Sequence, residues 1–292
     1  MDKPSYLFIL NPNSGTSTGK NALFTSQSIE RLAKKNNVHA EIIFTESQGH
    51  ATLLTRDNLD KTNWQAIVAI GGDGTVNEIA RSLVLTDTPL GILPMGSGNG
   101  LARHLGIPLQ LEAALHKLFR GTVHTIDSAL LNDIPFFCTA GIGFDAYVGK
   151  LFSEQKIRGL ATYMNVSFRS YWDYQPQQIK LNGVTQEVFS LTFANAGQYG
   201  NNAWVAPQAS LQDGQLDICT IRTFPKWYGT SLVYRLFTRQ LKDSDYITYH
   251  RTTDATIETS APPLIHYDGE PLQLDVDHFT VKIRPASLKI VL

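Results

Sequence analysis

Hydrophobic and polar positions fall into two textures along the chain. In the first 127 residues, short unbroken apolar runs alternate with longer stretches whose apolar residues recur every three or four positions. The runs Tyr6–Leu10, Ala40–Phe44, Gln65–Ile70 and Leu90–Leu93 predict strands. The stretches Lys20–Lys35, Ala51–Leu59, Val76–Leu85, Leu101–Leu105 and Leu111–Phe119 predict helices. Apolar runs without polar alternation suit strands covered on both faces, so a parallel sheet with helices packed on it is expected.

From about Asp127 the pattern changes to many strand-like runs with few helices. Strands are expected at Ser128–Leu131, Phe136–Thr139, Gln178–Leu181, Val188–Asn195, Gln215–Ile221, Thr256–Thr259, Leu264–Tyr267, Leu272–Val276 and Phe279–Ile283. Helical periodicity interrupts them at Ile157–Trp172 and Lys226–Lys242. The simplest account is an α/β domain over 1–127 and a mainly antiparallel β-sandwich domain over 128–292, with the last residues returning to the first. No internal repeat or low-complexity linker marks the join.

Composition narrows this little. Of 292 residues, 42% are hydrophobic and 17% charged, as in globular proteins with real cores. A formal charge of −1 gives no global attraction to nucleic acid or anionic membrane, so no nucleic-acid partner is expected and any such attraction must be local. Cys138 and Cys219 lie in apolar strand-like runs, where a buried small hydrophobe is the usual role. Neither a signal-peptide core nor a run of roughly 20 apolar residues is present, and a cytoplasmic location is expected.

Candidate chemistry enters with the glycines. Gly71-Gly72-Asp73-Gly74-Thr75 stands between a predicted strand and a predicted helix, where bare backbone and a helix N-terminus can receive phosphate. Thr75 and Glu78 have capping-box spacing, which predicts the helix start. Asp73 would repel phosphate unless a cation or a substrate proton lies between them; a tight turn with a solvated Asp fits the spacing as well. A second loop, Pro94-Met95-Gly96-Ser97-Gly98-Asn99-Gly100, follows the next strand, so both loops can form one crevice at strand carboxyl ends.

Two further glycine motifs are weaker. Gly15-Thr16-Ser17-Thr18-Gly19-Lys20-Asn21 is one residue short of a P-loop and has Asn21 at the Ser/Thr position. Gly141-Ile142-Gly143-Phe144-Asp145-Ala146 imitates a dinucleotide fingerprint, but no helix is evident directly after it.

Taken in order, these motifs resemble the diacylglycerol kinase catalytic-domain family, which includes bacterial lipid kinases and sphingosine kinases. The match runs through Asn11-Pro12-Asn13-Ser14-Gly15, Thr45 with Gly49-His50-Ala51, Gly71–Thr75 with Asn77-Glu78, and Gly96–Asn99. It continues through Gly141–Ala146, Asn195–Gly200, Ala206-Pro207, Asp213-Gly214 and Asp268-Gly269-Glu270. The resemblance implies an ATP-dependent kinase acting on a lipid hydroxyl, with Mg²⁺. ATP would then be bound by Asn11, Lys20, Thr45, Gly71, Gly72, Asp73, Gly74, Thr75, Glu78, Ser97 and Asn99. Ser210, Asp213 and Gln215 would hold Mg²⁺, Asp145 would face the lipid head group, and Glu270, with Asp73 as the alternative, would take the hydroxyl proton.

Diacylglycerol kinases of bacteria usually carry a Gly-Thr-x-Asn-Asp loop where this chain has Gly96-Ser97-Gly98-Asn99-Gly100, which is closer to sphingosine kinases. A sphingoid-base kinase, an NAD kinase sharing the Gly-Gly-Asp-Gly-Thr loop, and a non-catalytic lipid-binding protein therefore stay open. The resemblance also implies a lipid partner met at a membrane surface by peripheral association, while homodimer formation is left undecided. The segment Lys226–Lys242, with Arg235 and Arg239 beside an apolar arc, suits either packing on the β domain or resting on that surface.

Overall fold

The computed structural model describes residues 3–14, 20–155 and 159–292, and no side chain is described for Lys20 or Asn21. The P-loop-like glycines Gly15 and Gly19, and Ile157 at the start of the predicted helix, lie outside the described residues. The chain forms two compact units, Met1–Ile126 with Ala286–Leu292, and Asp127–Pro285.

In chain order the first unit contains β1 (Ser5–Leu10), α1 (Lys20–Lys35), β2 (His39–Phe44), α2 (His50–Asn58), β3 (Ala66–Gly71), α3 (Asp73–Leu83), β4 (Leu90–Pro94), α4 (Gly100–His104) and α5 (Leu111–Arg120). Strand β5 (Val123–Leu131) leads into the second unit. There follow β6 (Ile134–Phe136), β7 (Thr139–Gly143), α6 (Phe144–Ser153), α7 (Leu160–Asp173), β8 (Gln177–Leu181), β9 (Val184–Val188), β10 (Ser190–Ala194) and β11 (Leu216–Ile221). The chain ends with α8 (Tyr228–Phe237), β12 (Ile247–Thr252), β13 (Asp254–Thr259), β14 (Leu264–Tyr267), β15 (Glu270–Gln273) and β16 (His278–Val291), whose last residues return to the first unit.

The first unit is a parallel sheet in the order β2-β1-β3-β4-β16, closed by Ile290 of β16 beside Leu90 of β4. Every residue of β3 and β4 is buried, as their unbroken apolar runs require, whereas edge strand β2 has no buried residue. Chain order reverses across β1, which lies between β2 and β3, so the carboxyl ends of β1 and β3 flank a switch point. Asn11 follows the first of these strands and Gly72 the second.

The second unit contains an antiparallel sheet in the order β12-β11-β10-β7-β14-β15. Strands β8, β9 and β13 and the first part of β16 form the facing layer, joined by the β5–β6 hairpin. Ile142, Leu191, Phe193, Ile218 and Ile265 of the first layer meet Ile179, Ile257, Phe279 and Val281 of the second in one core. That is a β-sandwich, with inward side chains at every second position. The outer face of the six-stranded sheet is covered by a second cluster in which Tyr228 and Leu232 of α8 pack with Cys219 and Ile221.

Several boundaries differ from the sequence expectation. Helix α3 begins at Asp73 with Gly72 as its cap residue, so Thr75 lies inside the first turn and forms no capping box with Glu78. The apolar run Phe136–Thr139 is broken, because the N–H groups of Phe137 and Cys138 bond the Asp268 carboxylate. The run Val188–Asn195 likewise divides at Phe189 between β9 and β10. A helix does follow the Gly141–Ala146 motif at once: α6 starts at Phe144. Its aromatic and β-branched residues, Phe144, Tyr147, Val148 and Phe152, concealed it by favouring strand on propensity.

Phe279 is fully buried between the two layers. Phe279→Ala is expected to lower the second unit's stability by about 3–5 kcal/mol in urea unfolding; a loss below about 1 kcal/mol would contradict a closed sandwich core.

Candidate active site

In the first unit, the two glycine loops meet through backbone. A Cβ on Gly71 would fall 2.5 Å from Thr75 Oγ1, and one on Gly96 would fall 2.5 Å from Gly72 Cα. Glycine is therefore required by close approach. The Gly71 carbonyl accepts Met95 N–H at 2.8 Å. Asn11 ties β1 to the same place: its N–H donates to the Ile70 carbonyl at 3.0 Å and its amide nitrogen to Thr75 Oγ1 at 3.1 Å.

Asp73 accounts for its own charge. Its Oδ2 accepts Asn99 N–H at 2.8 Å and its Oδ1 accepts Gly100 N–H at 2.6 Å, so the carboxylate clamps the second loop onto the first. Asn99 closes that loop internally: its Oδ1 accepts Gly96 N–H at 2.9 Å and its Nδ2 donates to the Gly96 carbonyl at 2.7 Å. Asn99 adopts φ 51, a left-handed conformation that asparagine tolerates. Ser97 stands exposed at the loop tip. The geometry makes Asp73 a positioning group for the loops.

Glu78 is similarly engaged. Its two oxygens accept the N–H groups of Gly49 at 2.8 Å and Ala51 at 3.1 Å, where the start of α2 lacks intrahelical partners. It thereby fixes the segment after Thr45, which is buried at the end of β2 with its N–H on the Leu10 carbonyl at 2.9 Å. Lys20 opens α1, and its side chain lies outside the description.

In the second unit, residues 210–215 form a tight loop. Asp213 Oδ1 accepts Gln215 N–H at 3.1 Å, and Ser210 Oγ accepts Gln212 N–H at 3.3 Å. Buried Asp127 holds this loop from below, accepting Gly214 N–H on Oδ2 at 2.8 Å while its own N–H bonds the Leu211 carbonyl at 2.7 Å. Arg251 reaches Asp217 Oδ1 at 3.3 Å and Asp213 Oδ2 at 3.9 Å. Burial pushes the Asp217 carboxyl up, more than the Arg251 charge pulls it down. Among the described residues no group of three or more His, Cys, Asp or Glu side chains could hold a metal. A cation here would depend on one carboxylate with hydroxyl and carbonyl oxygens, a hard donor set that fits Mg²⁺ with its retained waters.

Glu270 opens β15 opposite Tyr267, half-buried. The hairpin that presents it is anchored by Asp268, whose carboxylate accepts the N–H groups of Phe137, Cys138 and Thr139 at 2.9, 2.7 and 3.3 Å. Asp145 lies in the first turn of α6, buried within the same unit. Its Oδ2 meets His266 Nε2 at 2.9 Å, Tyr199 Oη at 3.0 Å and Thr192 Oγ1 at 3.1 Å, and its Oδ1 accepts Ala146 N–H at 3.0 Å. Burial pulls this carboxyl up, but the His266 charge and the converging hydrogen bonds outweigh it and hold the carboxyl below its usual range.

The structure thus brings Asn11, the Gly71–Thr75 loop and Asn99 together through hydrogen bonds, with Glu78 bracing the segment after Thr45. Asp127, His266 and Arg251 were missed by sequence reasoning. Asp127 stood only at the boundary before the predicted strand Ser128–Leu131, and His266 stands two residues before Asp268-Gly269-Glu270, a proximity that could have drawn notice.

Asp73→Asn is expected to destabilise the first unit by about 1–3 kcal/mol without any ligand, because one backbone N–H then faces an amide donor; unchanged thermal unfolding would contradict the clamp. The Asp145 carboxyl titrates below its unfolded value, so its stabilising effect is complete above about pH 4 and is lost as pH falls through the folded value. Acid unfolding of Asp145→Asn is expected to lose that component, and an unchanged acid profile would contradict it.

Comparison with known proteins places both parts of the chain. The diacylglycerol kinase catalytic domain family matches residues 5–131, and the YegS C-terminal NAD kinase beta sandwich-like domain matches residues 138–292. A Pseudomonas fluorescens protein named "Probable lipid kinase YegS-like" is 30% identical, over 86% of this chain and 84% of its own length. An uncharacterised Synechocystis protein is also 30% identical over 88% of this chain, which spans 64% of that relative. The crystal structure of a Bacillus anthracis diacylglycerol kinase shares the fold, with TM-score 0.76 at 20% identity over 100% of this chain and 97% of that one. With both parts of the chain matched and the two glycine loops braced as described, the chain belongs to the diacylglycerol kinase catalytic-domain family of YegS-like lipid kinases.

Proposed function

We propose that the chain transfers the γ-phosphoryl group of ATP to the hydroxyl of a lipid, diacylglycerol or a close relative. The observation that carries this reading is the paired glycine-loop backbone at the carboxyl ends of β3 and β4, braced by Asp73 at the N-terminus of α3. Glycine backbone at the N-terminus of α3 and the helix field there favour phosphate. Ser210, Asp213 and Gln215 would hold Mg²⁺, which supplies charge neutralisation for the transferring phosphoryl group. Glu270 takes the lipid hydroxyl proton as the new O–P bond forms and the bond to the β-phosphate oxygen breaks, releasing ADP. Asp145 is the head-group candidate, presented together with His266, Tyr199 and Thr192 as one hydrogen-bonded set. The protein would work as a cytoplasmic enzyme that associates with membrane while acting.

A sphingoid base is the second acceptor to consider, because Gly100 occupies the place of an acid in bacterial diacylglycerol kinases and gives its N–H to Asp73. The test is phosphate transfer from labelled ATP with Mg²⁺ to diacylglycerol, sphinganine, phosphatidylglycerol and NAD. A phosphorylated lipid is expected, with Glu270→Gln slowing turnover by roughly 10²–10⁴ while ATP affinity holds. Phosphorylation of NAD alone would overturn the lipid assignment, and wild-type turnover in Glu270→Gln would remove that residue as base.

A further inference from the structure

The second unit carries an exposed aromatic cluster that its core does not use. Trp172 at the end of α7 is 49% exposed and Trp227 before α8 is 71% exposed, and these are the two exposed tryptophans among the described residues. Phe168, 67% exposed, meets the Trp172 ring edge-on at 6.3 Å. The two helices hold the cluster as one piece. Tyr171 Oη donates to the Lys226 carbonyl at 2.7 Å, and Lys226 Nζ donates to the Trp172 carbonyl at 2.8 Å while lying 5.2 Å over the Trp172 ring. A Cβ on Gly229 would fall 2.6 Å from Tyr171 Oη, so the contact is close.

Charge around the cluster is mainly positive, with two exposed acids beside it: Asp173 ends α7 next to Trp172, and Glu187 accepts from Thr223 Oγ1. Residues 159–172 and 222–242 contain Arg169, Arg222, Lys226, Arg235, Arg239 and Lys242 and no acid, with Asp173 and Asp243 just beyond. Removing these six cations from a net charge of −1 leaves −7, so positive charge is concentrated in these two segments. Exposed Trp and Phe beside Lys and Arg suit the headgroup region of a bilayer, where an amphipathic ring is stable and anionic lipid attracts the cations.

The arginines singled out from sequence have other tasks. Arg235 lies 5.6 Å over the Tyr228 ring and donates to its hydroxyl at 3.2 Å. Arg239 stacks 4.0 Å over Trp204 and donates to the Pro207 carbonyl at 3.2 Å. The Arg235 contact stays within α8, whereas Arg239 ties the end of that helix to the segment at Trp204 and Pro207.

We propose that Phe168, Trp172, Trp227 and Lys226 form the platform that seats the protein on an anionic lipid bilayer. This deepens the lipid reading above and rests on it. The test is co-sedimentation of the full chain, without ATP, with phosphatidylcholine vesicles containing or lacking phosphatidylglycerol, together with quenching of tryptophan emission by brominated acyl chains. Wild type is expected to bind the anionic vesicles, more weakly as salt rises, and to be quenched. Trp172→Ser with Trp227→Ser should weaken binding by about tenfold or more, leaving phosphorylation of a water-dispersed short-chain lipid unchanged. Lys226→Glu, which keeps both tryptophans, should weaken binding to the anionic vesicles. Equal binding to neutral and anionic vesicles, absence of quenching, or wild-type binding by the double variant would overturn the platform. Vesicle binding without any phosphotransfer would sustain the platform and sink the kinase reading, whereas phosphotransfer without vesicle binding would do the reverse.

Discussion

The contact between the Asp73 carboxylate and the N–H groups of Asn99 and Gly100 sets the shape of the first unit's site. A glycine loop is bare backbone, and bare backbone has no side-chain packing to hold it still. Here an acid from one loop supplies the missing constraint on the other, through charge-assisted hydrogen bonds about twice as strong as neutral ones. Gly96 and Gly72 can then touch through main chain, Asn99 can turn through a left-handed conformation, and α4 can start without a side-chain cap of its own. The acid that looked hostile to phosphate is engaged by N–H groups of the neighbouring loop.

The second unit repeats the device. Asp268 gathers three consecutive backbone N–H groups between β6 and β7, and so sets the hairpin on which Glu270 is carried. Asp127 holds the Ser210–Gln215 loop by one N–H of Gly214. Glu78 does the same for the start of α2. In each case a carboxylate fixes backbone beside a residue that is a candidate for binding or chemistry. Asp145 differs, since its partners are mostly side chains and it lies buried among aromatic rings.

Much of this was legible in the chain. The unbroken apolar runs of β1, β3 and β4 led to a parallel sheet because strands buried on both faces cannot alternate. The glycines of the 71–74 and 96–100 loops pointed to close backbone approach at strand ends, which Gly72 and Gly96 make. What stayed hidden depended on contacts distant in sequence. Nothing near Phe137 reveals that Asp268, 131 residues later, will interrupt the strand there. Thr75 and Glu78 have capping-box spacing, yet Asn11 and the Gly49 N–H claim their side chains instead. Helix α6 was lost to propensity, its aromatic side chains being selected by packing against Tyr171, Tyr174 and Phe189.

The central claim is that acids of this chain hold its glycine loops in place, Asp73 first among them. Amide hydrogen exchange at Asn99 and Gly100, followed by NMR in the unliganded protein, tests it most directly. The account predicts slow exchange at both amides in wild type and fast exchange at both in Asp73→Ala, with the β3 amides still protected. Fast exchange at Asn99 and Gly100 in the wild-type protein would contradict it.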